Sequence, residues 1–187
     1  VSSADHLARA AAVLLLEGRA PDVATALRRV MEKYRGAGLT APTHARVRQH
    51  LEAMRMQQLG AEQYAAREAA RSHVADQLLS TVDVIVGGDP VYLVGRTAEG
   101  ATDSEGTVHL RVYTDLASRV IADRLRDLGY SDPVLRGVRS RLGPIEELRF
   151  VEEEWPVVIR VCPPVMEREA CRDLFTGRRI TVMRWQA

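Results

Sequence analysis

The spacing of apolar residues changes once along this chain, near Thr81, and that change restricts the fold more than any other feature. Residues 1–80 repeat apolar side chains every three or four positions, as amphipathic helices do. From 81 onward the chain breaks into short β-branched runs separated by Gly, Pro and Asp. Helices first and strands afterwards predict an α+β fold, with a helical N-terminal section over 1–80 and a mixed sheet over 81–187.

The first helix carries Leu7, Ala8, Ala11, Leu14 and Leu15 and stops at Gly18. A second opens at Pro21, carries Val23, Leu27, Val30, Met31 and Tyr34, and ends at Gly36. A third starts near Pro42 and Thr43, carries Val47, Leu51 and Met54, and stops by Gly60; a fourth covers 61–80. Strands are predicted over 82–86, 91–94, 107–113, 134–140, 147–151, 157–161 and 179–185. One helix stands among them: Thr114 or Asp115 caps it, Leu116, Val120, Ile121, Leu125 and Leu128 face inward, and Gly129 ends it. A shorter helix is read over 166–175, and a turn at Gly177 leads into the last strand.

Charge removes one class of function. The 26 basic and 25 acidic residues leave a net charge of +1, so a polyelectrolyte is not the default partner. Residues 1–80 sum to +3 and 81–187 to −2, which leaves nucleic acid an allowed but less favoured partner. Lys33 is the only lysine, so the other 25 basic side chains are arginine. The longest apolar run, 10–16, has seven residues against the ~20 of a membrane span. The polar start and the two widely spaced cysteines, Cys162 and Cys171, are read as those of a cytoplasmic protein with reduced thiols.

The stretch 91–112, VYLVGRTAEGATDSEGTVHLRV, carries the chemistry. An apolar strand runs into a Gly-rich loop, and a second strand alternates Thr107, His109, Arg111 and Tyr113 on one face with Val108, Leu110 and Val112 on the other. It resembles the nucleotidyltransferase superfamily of the minimal, polymerase-beta-like kind, which has an apolar strand, Gly-Ser-x-Ala-x-Gly, and then a strand with Asp-x-Asp followed by Leu. Laid on that pattern, Gly95, Ala98, Gly100 and Leu110 fall on the Gly, Ala, Gly and Leu positions. In such a motif glycines let backbone N–H groups approach a triphosphate, and paired carboxylates on one strand face hold Mg²⁺.

Here Arg96 stands at the serine position, and Thr107 and His109 stand where the two carboxylates would be. The family's third carboxylate comes from a later strand; its counterpart at 157–161 offers Val158 and Arg160. The resemblance therefore implies a transferase-like fold with a degenerate metal site that binds a nucleotide, another phosphate-bearing ligand or a protein partner. Gly95, Arg96, Thr97, Gly100, His109, Arg111 and Arg160 are its candidate binding residues, and no cofactor is implied. Mg²⁺ enters only in an alternative, an active transferase drawing carboxylates from Asp103 and Glu105. A second alternative is a nucleic-acid-binding module, with residues 21–56 as a helix-turn-helix presenting Arg46, Arg48 and Arg55. A homo-oligomer is left open.

Overall fold

A computed structural model describes residues 3–35, 38–95, 98 and 106–186. The chain is α+β: helices at the N-terminus precede a six-stranded mixed sheet. It forms two compact units, Val1–Arg67 and Glu68–Ala187. The division falls inside the fourth helix, upstream of the change in texture at 80/81.

In the first unit α1 (Ser3–Leu16), α2 (Val23–Lys33) and α3 (His44–Leu59) share one core. Leu7, Ala8, Ala11 and Ala12 of α1 are fully buried against residues that include Leu27 and Val30 of α2 and Val47 and Leu51 of α3. Small side chains on α1 let the helix backbones approach closely. Two of the three helices start on side-chain caps. Asp22 accepts from the Thr25 amide at 2.7 Å, so Pro21 precedes the cap instead of opening the helix; Thr43 accepts from the Arg46 amide at 3.2 Å. Asp5 of α1 receives Arg46 and His50 of α3 at 2.7 and 2.9 Å, closing the α1–α3 contact with charge.

The second unit is built on β1 (Val91–Val94), β2 (Val108–Tyr113), β3 (Val134–Ser140), β4 (Gly143–Glu152), β5 (Trp155–Cys162) and β6 (Val182–Arg184), in the order β3-β4-β5-β2-β1-β6. All neighbours run antiparallel except β2 and β5. One face packs Val108, Leu110 and Val112 of β2 against Val74, Leu78 and Val82 of α4 (Ala61–Val86) and Ile121 and Leu125 of α5 (Ser118–Asp127). On the other face Tyr113, Ile145 and Cys162 are covered by Met166 and Ala170, from and just after a 3-10 helix (Pro164–Glu169), and by Leu174.

Several local expectations change. Residues 82–86 form no strand but the last turns of α4: Val82, Ile85 and Val86 are buried at helical spacing, while Val84 is 75% exposed. The cap of α5 is Ala117, without a side-chain bond; Thr114 instead donates to Asp89 and accepts from the Leu116 amide. Val120 and Leu128, read as inward, are exposed. The helix expected over 166–175 is the single 3-10 helix and a turn. No described helix is long and apolar enough to cross a membrane.

Candidate functional site

Register places the polar residues of the sheet in a row. Arg136 of β3 pairs with Glu147 of β4, Glu147 with Arg160 of β5, Arg160 with Arg111 of β2, Arg111 with Tyr92 of β1, and Tyr92 with Arg184 of β6. Residues directly opposite in a sheet share a face, so this row crosses the whole sheet on the side away from α4 and α5. The expected alternation of Thr107, His109, Arg111 and Tyr113 against Val108, Leu110 and Val112 is the physical basis of that row. The apolar set lies in the helix-side core, and Tyr113 lies in the core beneath the 3-10 helix.

Two enclosed charges hold the centre of the row. Glu147 is 1% exposed and receives Arg160 Nε at 2.9 Å and Arg149 Nη2 at 2.6 Å. Burial pushes its carboxyl up, but the hydrogen bonds from Arg149 and Arg160 outweigh burial and hold it below the usual glutamate value. Arg160 also lies over the Phe175 ring, 5.2 Å from its centroid. Arg111 is likewise 1% exposed, and its Nη1 donates to the carbonyls of Ala170 at 3.1 Å and Arg172 at 2.7 Å. Arg111, a candidate phosphate ligand in the sequence reading, has its charge enclosed beneath the C-terminal segment and ties that segment to β2. Close by, burial pushes Asp173 up, yet hydrogen bonds from Thr176 and the Phe175 amide hold it below the usual aspartate value.

Thr107 and His109, laid in sequence on the resembled family's paired carboxylates, stand at the N-terminal end of β2. Thr107 is buried just before β2, and half-buried His109 pairs with Val158 across the parallel β2–β5 junction. Gly95 closes β1 at φ 66°, a left-handed conformation that favours glycine, and its N–H donates to the Thr181 carbonyl at 2.8 Å. Ala98 packs on the main core. Arg96, Thr97 and Gly100, with Asp103 and Glu105, lie outside the described residues. The structure thus brings Arg111, Arg160 and His109 onto adjacent rows of one face.

Glu147 was missed in the sequence. It is the buried carboxylate among the described residues, and it sits on β4, one strand beyond the position inspected for an acid. Its signal was the alternation of Glu147 with Arg149, which only register joins to Arg160. Glutamate between two arginines is a poor cation site, because its lone pairs are already taken. Among the described residues no group of three or more His, Cys, Asp or Glu is placed to hold a metal ion.

The helix-turn-helix alternative meets a different geometry. Ten residues, 34–43, connect α2 to α3, where the motif uses a turn of about 3–4. Arg46 is bound to Asp5 and to Gln49. Comparison with family models, with curated proteins and with solved structures finds no match for this chain.

Proposed function

We propose that the second unit is a nucleotidyltransferase-like domain without metal-dependent transfer, and that it binds a nucleotide or another phosphate-bearing ligand at the Gly95–His109 end of its sheet. One observation carries the reading. β1 and β5 flank β2, antiparallel and parallel respectively, which sets His109 beside Val158 and Arg111 beside Arg160 on the later strand from which the resemblance would draw its third acid. Arg96, Thr97 and Gly100, which follow Gly95 in the sequence, are assigned to the ligand together with His109 and Arg160. Arg111 acts from beneath, by holding the 170–172 backbone in place.

The test is thermal. ATP at about 100 times its dissociation constant adds about 2.7 kcal/mol to a folded protein, which for a unit of this size raises the melting temperature by several degrees. The rise is expected with EDTA present as well as with Mg²⁺, and Arg96→Ala is expected to remove it. Absence of any shift with ATP, GTP, other nucleotides or inorganic phosphate overturns the reading. Mg²⁺-dependent transfer lost in Asp103→Ala replaces it with the active-transferase alternative.

A further inference from the structure

The sheet ends at β3, whose seven residues VLRGVRS pair with β4 alone. Alternate residues of such a strand turn N–H and C=O groups outward with no strand to receive them. Edges are commonly blunted by proline, a bulge, shortness or charged side chains, and of these β3 carries only charge, in Arg136 and Arg139. β3 has no proline, and its register with β4 is continuous from Val134 to Ser140. It exposes Val134 at 65% and Leu135 at 41%. Gly137 at its centre leaves open space where a Cβ would stand, so another backbone can approach closely.

Charge selects the occupant. Arg136 and Arg139 flank Gly137, one on each face of the sheet, and both are exposed. Among the described residues no hydrogen bond or ion pair engages either side chain. A groove of about 720 Å³, lined by Gly137, Val138, Arg139, Pro144, Ile145 and Glu146, opens from the same edge. A second copy of this chain fits poorly. Two-fold antiparallel pairing centred on Arg136 sets that arginine against its mate, and pairing centred on Gly137 puts the two arginines on a diagonal. Pairing shifted to Val138 leaves Val134 and Leu135 outside the contact.

We propose that β3 is an acceptor edge for an extended acidic segment of a partner protein, which adds to the sheet as a further strand. Its main chain bonds to the outward groups of β3, its carboxylates meet Arg136 and Arg139, and its apolar residues cover Val134 and Leu135. This surface is distinct from the Gly95–His109 end, and its test is independent of nucleotide binding.

The probe is a fluorescein-labelled peptide of about ten residues with glutamate and valine in successive pairs, so that each face of the added strand carries both carboxylates and apolar side chains, with a lysine–valine peptide of the same pattern as the charge control. Each is titrated into the full chain and followed by anisotropy, and amide hydrogen exchange locates the contact. The acidic peptide is expected to bind and to slow exchange in β3, while the lysine peptide does not bind. The double variant Arg136→Glu, Arg139→Glu should weaken binding at least about tenfold. Arg136→Lys with Arg139→Lys should largely retain it, and melting curves verify that both variants fold. Equal binding by the charge-reversed variant, protection located elsewhere, or no binding of the acidic peptide overturns the proposal. So does a wild-type dimer in sedimentation whose formation protects β3, because it assigns the edge to a second copy.

Discussion

Replacing Glu147 with alanine removes the counter-charge of Arg160, whose side chain is only 15% exposed. Truncating one partner of a buried ion pair costs about 3–5 kcal/mol, mostly because the remaining charge is stranded. Two contacts pull this case to the low end. Arg160 keeps the Phe175 ring, an attraction of about 1 kcal/mol. Arg149 is 48% exposed, so water takes over its charge and its arm contributes at most about 1 kcal/mol. The expected loss is therefore about 3 kcal/mol, read as a lower urea midpoint at unchanged slope. Trp155 and Trp185 both pack on the core of the second unit, so their fluorescence reports the unit being perturbed.

The pH dependence has a definite sign. The Glu147 carboxyl lies below its ordinary value of 4.5 in the folded state, so its stabilisation is complete above that value and drains away as pH falls through the folded pKa. The gap between the wild type and Glu147→Gln should hold down to about pH 5 and narrow below it. Replacing the pair together, Glu147→Leu with Arg160→Met, should recover most of the loss, since apolar side chains of similar volume substitute well for a buried pair. A loss below about 1 kcal/mol in Glu147→Ala, or a gap to Glu147→Gln unchanged at about pH 3, refutes the reasoning.

Arg111→Met should free the carbonyls of Ala170 and Arg172, destabilise the unit by about 2–4 kcal/mol and speed trypsin cleavage after Arg172; unchanged cleavage would show that the segment does not depend on the clamp. Gly95→Ala meets nothing within 4 Å but must adopt φ 66°, so it should cost about 1–2 kcal/mol in a melting experiment, with no loss expected if the turn can rearrange freely. Cys162 is buried and pushed up to about 11 by that burial, whereas Cys171 is exposed. Iodoacetamide near neutral pH should therefore modify Cys171 alone in the native chain and both cysteines in urea, counted by intact mass.

The alternation in 107–113 was legible because one face of β2 is wholly apolar, and a period of two then admits one register. The helical front was legible for a similar reason, with Leu7, Leu27 and Val30 marking the buried stripes. Residues 82–86 were not, because a β-branched run of that length looks the same in a strand and at the end of a buried helix; only the exposure of Val84 between buried Val82 and Val86, which a strand would put on one face, separates them. Arg111 and Arg160 were picked out together with Arg96, which lies outside the described residues, and register sets Arg111 and Arg160 side by side. Their partners were not legible. Glu147 reaches Arg160 through a strand pairing that no local spacing encodes, and the Arg111 carbonyls come from a segment read as a longer helix.

The central claim is that this sheet face binds a phosphate-bearing ligand without a metal. Calorimetric titration of ATP into the full chain, once with EDTA and once with Mg²⁺, tests it most directly. The expected result is one site per chain with nearly the same affinity in both titrations, weakened at least about tenfold by Arg96→Ala. No binding heat with ATP, or binding that appears only with Mg²⁺, contradicts it.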